Sequence, residues 1–95
     1  MSLTFYVLLW AHPGTDDALI RYEDQVLALV PDHGGQILQR ARSDGANGCP
    51  VEIQLVEFPS AQAFAAYMAD ERRTALAAQR DRAIARTELI PVRMV

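Results

Sequence analysis

The pattern of apolar and polar positions divides the chain into six elements. Residues 4–12, Thr-Phe-Tyr-Val-Leu-Leu-Trp-Ala-His, are nearly continuously apolar and rich in aromatic and aliphatic side chains. Such a run suits a strand covered on both faces. Its alternation sets Phe5, Val7, Leu9 and Ala11 on one side and Tyr6, Leu8, Trp10 and His12 on the other. The second set carries polar tips, so it can line something wet while the first meets helices. Pro13-Gly14 ends the strand. Thr15 then reads as a helix N-cap, with Asp16 and Asp17 in the first turn where the helix dipole favours negative charge. Leu19, Tyr22, Val26 and Val30 recur at helical spacing, and Arg21, Glu23, Asp24 and Gln25 fall largely on the other faces. Pro31 bars a regular continuation, and Gly34-Gly35 supplies the left-handed conformation that a helix end needs.

Gln36 to Ser43 is a shorter, more polar strand that fits a sheet edge. Asp44-Gly-Ala-Asn-Gly48 is a dense turn signal between two strand-like runs, hence a hairpin. The next strand runs from Pro50 to Phe58. Val51, Ile53 and Leu55 share one face, assigned to the helical core, and Glu52, Gln54, Val56 and Phe58 share the other. Pro59-Ser60 stops it and starts a long alanine-rich helix capped by Ser60. That helix carries Phe64, Tyr67 and Met68, then meets Asp70-Glu71, a kink or a fresh N-cap, before Leu76, Gln79, Arg80 and Ala83. A last strand, Glu88 to Val95, is demoted to an edge by Pro91.

The order strand, helix, strand, strand, helix, strand is that of the ferredoxin-like βαββαβ fold. This is an α+β class: a four-stranded antiparallel sheet with two helices on one face. Right-handed crossovers put the first and third strands in the centre, expected to run parallel, with the second and fourth outside. At 95 residues the chain forms a single domain, 1–95. Two helices cover only one face of such a sheet. The other, assigned to Tyr6, Leu8 and Trp10 with Gln54, Val56 and Phe58, is too apolar to stay exposed. A second copy packed sheet against sheet, a homodimer, is the expected cover.

Composition narrows the chemistry. A formal charge of −3 gives no bulk case for nucleic acid. No apolar run approaches the roughly 20 residues needed to span a bilayer. The start Met1-Ser-Leu-Thr-Phe-Tyr lacks the features of a signal peptide, so the expected location is cytoplasmic. There is no lysine, which removes Schiff-base and lysine general-base chemistry. The single Cys49 has no base nearby in sequence and no partner for a disulfide or a thiolate metal site. Two histidines without a paired carboxylate at ligand spacing make a poor metal site. No phosphate loop, dinucleotide fingerprint or nucleophile elbow is present, so no cofactor and no metal is expected.

Three segments carry a family likeness. Gly34-Gly-Gln-Ile-Leu-Gln-Arg40, Glu57-Phe-Pro-Ser60, and Tyr67 with Arg80 on the second helix resemble a small bacterial family of unknown function. That family belongs to the dimeric α/β-barrel superfamily, with the antibiotic-biosynthesis-type monooxygenases and muconolactone isomerases. The likeness spans essentially the whole chain. It implies the topology above, a dimer whose two sheets form a barrel, and a small-molecule pocket between sheet and helices or at the dimer seam. It supplies no agreed catalytic residues. The Ser43–Pro50 hairpin is shorter than in those relatives, Arg73 stands where they carry an aromatic, and Asp70 replaces a small polar residue.

The candidate site residues follow from position. His12, at the end of the first strand, is the candidate general base, or else a solvent-facing strand-end histidine. Tyr6 and Trp10 are candidate substrate-binding aromatics. Arg40, Glu57 and Arg80 form the most suggestive charged trio: an arginine can hold a substrate carboxylate or enolate in a bidentate grip. The favoured alternative pairs Arg80 with Glu57 and ties helix to sheet. The functional expectation is a small-molecule-binding dimer with cofactor-independent oxygenase or isomerase chemistry, against a non-catalytic binding module or a structural dimerisation domain.

Overall fold

Burial along the first strand follows its alternation. In the computed structural model, which describes residues 2–95, β1 (Leu3–Ala11) buries Phe5, Val7 and Leu9 against the helices and leaves Tyr6, Leu8 and Trp10 part-exposed on the opposite face. Helix α1 (Asp16–Leu27) turns Leu19, Tyr22 and Val26 onto the sheet, and a 3₁₀ turn over Val30–His33 adds Val30. Gly34 closes that turn at φ 75°, in the left-handed region glycine tolerates. Strand β2 (Gln36–Arg42) and β3 (Glu52–Phe58) form the hairpin, with a short 3₁₀ turn over Ala46–Gly48 at its tip. After Ser60 come three short helices, α2 (Ala61–Met68), α3 (Glu71–Thr74) and α4 (Ala77–Ala83), and then β4 (Ile84–Pro91).

The sheet order is β2-β3-β1-β4 and every neighbouring pair is antiparallel. This is the ferredoxin-like α+β fold. The central pair β1 and β3 was expected to be parallel and is antiparallel. The α1 crossover returns β2 in the direction of β1, and the hairpin reverses the chain once more before β3 slots between them. Both prolines of concern lie where the pairing tolerates them: Pro50 precedes β3, and Pro91 ends β4, an edge strand.

The register overturns the face assignment on β3. Phe5 pairs with Val56, Val7 with Gln54 and Leu9 with Glu52, so these β3 residues share the helix-facing side. Val56 and Phe58 are core, and Glu52 and Gln54 are buried beside them. The uncovered ladder instead pairs Tyr6 with Leu55 and Leu8 with Ile53.

Three local expectations also change. β4 begins at Ile84, four residues before the predicted Glu88, because α4 stops at Ala83 and the chain pairs with β1 at once. Thr15 stands at the N-cap position of α1 without capping it; its Oγ1 lies 2.8 Å from the carbonyls of both His12 and Ala83. Glu23, expected on an outer face, is buried. Elsewhere the capping signals hold. Ser60 Oγ accepts from the Ala63 N–H at 3.0 Å, and Asp70 begins a new helix by accepting from the Arg72 N–H at 2.9 Å.

Candidate functional site

The broken second helical segment leaves space over the sheet. Between Met68 and Ile84 the only large apolar side chain is Leu76; the rest are alanines and polar or charged residues. Alanines cannot fill the gap that Leu or Phe would close. The result is a cavity of about 240 Å³ between the helix-facing side of the sheet and the helices. Phe5, Val7 and Leu9 of β1, Val56 and Phe58 of β3, Val26 of α1 and Phe64 of α2 make its apolar wall. Phe5, Phe58 and Phe64 meet one another at ring separations of 4.9–6.2 Å, two of the three pairs edge-to-face, so that wall is a packed aromatic cluster.

Polar groups enter this wall at a few points. Glu23 of α1 lines the cavity, and its Oε1 accepts from Gln54 Nε2 at 2.7 Å. The same amide donates to Glu52 Oε2 at 2.6 Å. Glu52 is fully buried and is gripped by Arg40, Nε to Oε2 at 2.7 Å and Nη2 to Oε1 at 3.2 Å, with Arg42 Nε adding a contact at 3.2 Å. Gln54 thus joins a neutralised surface-edge ion cluster to an interior carboxyl. Burial raises the proton affinity of Glu23 above that of an ordinary glutamate. The Gln54 hydrogen bond opposes this, the Glu52 charge reinforces it, and Arg40 and Arg73 oppose it.

Two tyrosines and two arginines add further polar groups to the lining. Tyr67 donates its hydroxyl to the Val26 carbonyl at 3.1 Å, and burial pushes its phenol up to about 12, with Arg73 acting against the shift. Burial also raises Tyr22. Arg73 lies with its guanidinium carbon 5.3 Å from the Tyr67 ring centroid, and its Nη1 donates to the Met68 carbonyl at 3.4 Å. Its Nε is buried without a partner. Arg80 Nη2 donates to Thr87 Oγ1 at 3.2 Å, and its Nη1 stands 3.9 Å from Asp81.

Of the six candidate site residues His12, Tyr6, Trp10, Arg40, Glu57 and Arg80, Arg80 alone lines this cavity, together with Tyr67 of the family likeness. Arg40 is on the helix-facing side at the β2 edge, with both edges of its fork occupied by Glu52 and by Asp24 at 2.7 Å. Glu57 is on the uncovered side of β3, where Thr4 Oγ1 donates to it at 3.5 Å. The expected Glu57–Arg80 pair is therefore not made: the sheet lies between them. Tyr6 and Trp10 are on the uncovered face; Trp10 donates to the Gly48 carbonyl at 2.8 Å and carries Arg86 over its ring at 4.4 Å. His12 sits in a separate surface depression beside Trp10, its Nε2 3.2 Å from the Asp81 carbonyl. His33 Nε2 lies 2.8 Å from Asp70 Oδ2, a hydrogen-bond contact that links the first helical unit to the second. Glu23, Gln54 and Arg73 were not found from sequence. A signal existed for Glu23, which falls four residues after Leu19 and three before Val26, on the buried stripe. Among the described residues no group of three or more His, Cys, Asp or Glu side chains comes close enough together to hold a metal.

Residues 4–95 match the family model described as a domain of unknown function, DUF1330. The chain belongs to that family. Among solved structures, this DUF1330 chain is similar to a protein of unknown function from Rhodopseudomonas palustris at 15% identity and TM-score 0.79, covering 99% of this chain and 82% of that one. It is also similar to a candidate antibiotic biosynthesis monooxygenase from Bacteroides thetaiotaomicron, at 11% identity and TM-score 0.75, covering 99% and 90%. A third is a protein of unknown function from Bacteroides fragilis, described as dimeric and ferredoxin-like, at 9% identity and TM-score 0.72, covering 98% and 96%. At such identities the likeness establishes the fold. A comparison with curated proteins gave no match. No helix among the described residues is long and apolar enough to cross a membrane.

Proposed function

We propose that this DUF1330 chain is a homodimer that binds a small organic molecule in the cavity between its sheet and its helices. The observation that carries the binding reading is the cavity itself: about 240 Å³, with apolar walls and a few convergent polar groups. An apolar cavity of about 150 Å³ already accommodates a benzene molecule, so this one suits a single ring bearing a short substituent. A panel of aromatic acids, quinones and lactones tested by thermal shift checks this. A ligand at about 100 times its dissociation constant adds about 2.7 kcal/mol to stability, a rise of several degrees for a domain of this size. If no member of the panel moved the melting temperature at millimolar concentration, the binding reading would fall.

Glu23 supports a chemical reading of the same site. A buried carboxyl of raised proton affinity, facing a cavity that also holds guanidinium groups, suits removal of a proton beside a carbonyl and stabilisation of the resulting oxyanion. Cofactor-independent isomerase chemistry uses that step, and so does the opening of cofactor-independent oxygenation; the latter is in keeping with the candidate monooxygenase of the same fold. The measurement is deuterium incorporation from D₂O into a bound carbonyl compound, followed by NMR. Exchange accelerated by the wild type and lost in Glu23→Gln supports catalysis. Exchange no faster than in buffer leaves a non-catalytic binding module.

The dimer reading rests on the uncovered sheet face. Tyr6, Leu8 and Ile53 are only half-buried there, and the Bacteroides fragilis protein of the same fold is described as dimeric.

A further inference from the structure

Arg73 is the residue of the cavity wall whose hydrogen bonding is least complete. Its Nε is buried without a partner, and its Nη1 has only a long 3.4 Å contact with the Met68 carbonyl. A guanidinium carries five donors in a planar fork, and buried donors are almost always paired. Arg40, Arg42, Arg72, Arg80 and Arg86 each meet a carboxylate within 4 Å; among the described residues none lies that close to Arg73. Its cation instead rests on the Tyr67 ring, which holds the fork at the wall between α2 and α4.

The charges around the cavity do not cancel. Arg73 and Arg80 contribute two cations, and Glu23 contributes at most one anion, already engaged by Gln54. Arg80 is met in part by Asp81 at 3.9 Å and by the Thr87 hydroxyl. The uncompensated positive charge is that of Arg73, and it adjoins a wall of phenylalanine and valine side chains.

We propose that the cavity takes a small organic anion, with an apolar ring in the Phe5–Phe58–Phe64 wall and a carboxylate or enolate oxygen accepting from Arg73. This deepens the binding reading and depends on it. The ligand's oxygen accepts from the terminal nitrogens of the fork, which no carboxylate engages, and its charge balances the guanidinium. Charge-assisted hydrogen bonds of this kind are the strong ones. A neutral ligand of the same shape fills the apolar space and leaves the guanidinium uncompensated.

The test compares phenylacetate with phenylacetamide, and 3-phenylpropionate with its amide, by isothermal titration calorimetry on the full chain. One charge-assisted hydrogen bond corresponds to about a tenfold difference in affinity, so each acid is expected to bind about tenfold more tightly than its amide. In Arg73→Leu the acids lose that advantage and the amides keep their affinity. Arg73→Lys, which retains the charge and lacks the planar fork, falls between and serves where Arg73→Leu does not fold. Acids binding no more tightly than amides in the wild type would overturn the anion proposal and leave the cavity reading standing. Absence of binding by all four compounds would overturn both.

Discussion

Glu23 shows how one side chain ties stability to pH in this protein. Its carboxyl sits under α1 with 5% of its surface exposed, and burial raises its proton affinity in the folded chain. The folded state therefore holds a proton on this group at pH values where the unfolded chain has released it. Stability falls as pH rises from the ordinary glutamate range through the folded value. Above that window a buried charge persists, only partly offset by the Gln54 amide 2.7 Å away. Glu23→Gln removes the charge and keeps a polar group able to meet Gln54. It is expected to melt a few degrees above the wild type at pH 7, and the gap should close as pH falls below the ordinary glutamate value. Melting curves at several pH values read this; a constant offset across pH would show that the charge is not the cause. The sequence hid this residue because a charged side chain in a helix normally faces solvent. Its spacing on the stripe of Leu19, Tyr22 and Val26 pointed inward, and the amide donated from β3, with Arg40 and Arg73 nearby, helps to make that burial tolerable.

At the scale of elements, local signals were legible and long-range pairing was not. Ser60 and Asp70 both start helices as their side chains predict. Ser60→Ala should cost about 1 kcal/mol, the usual loss for an N-cap hydroxyl. The joint between the first helical unit and β2 is tighter. A Cβ added at Gly35 would stand 2.7 Å from Val30 Cγ1 and 3.0 Å from the Glu57 carbonyl oxygen. The carbonyl belongs to a paired strand and cannot retreat, so Gly35→Ala is expected to cost about 1–3 kcal/mol as overpacking. Denaturant melts of the two variants should show the larger drop for Gly35→Ala; equal losses would mean that the joint yields. The faces of β3 were a different matter. Val51, Ile53 and Leu55 form the more uniformly apolar set, and that composition favoured them for the helical core. The register with β1 puts Glu52 and Gln54 there instead, their polarity absorbed by Arg40, Arg42 and Glu23. No local pattern contains that network, because its members come from α1, β2 and β3. The cavity was equally illegible, although the run of alanines that leaves it unfilled can be read from the chain.

The whole molecule has one covered and one uncovered sheet face, and the inversion on β3 changes which side chains the uncovered face carries. Its β3 members are Ile53, the buried Leu55 and Glu57 in place of Gln54, Val56 and Phe58, beside Tyr6 and Leu8 of β1. Ile90 of β4 lies opposite Tyr6 on the same side and is 40% exposed. Polar residues mark one edge, where Arg86 and Glu88 pair at 2.8 Å. An apolar centre with a charged margin is the arrangement that sheet-to-sheet association around a twofold axis uses. Ile53→Glu tests this directly. In an isolated chain the new carboxylate points to water from a strand whose other face is untouched, so the fold should persist. In a dimer it would bury an unpaired charge near the axis, facing its own copy. The expected result is a dimer mass for the wild type and a monomer mass for Ile53→Glu by light scattering after size exclusion, at about 10 μM and with unchanged circular dichroism. A dimer mass retained by the variant would move the interface elsewhere, and a monomeric wild type would remove it. Because the cavity proposed for the ligand lies on the opposite side of the sheet, the monomeric variant is expected to bind phenylacetate as the wild type does. Loss of binding with the dimer would mean that association shapes the cavity through the strands the two sites share.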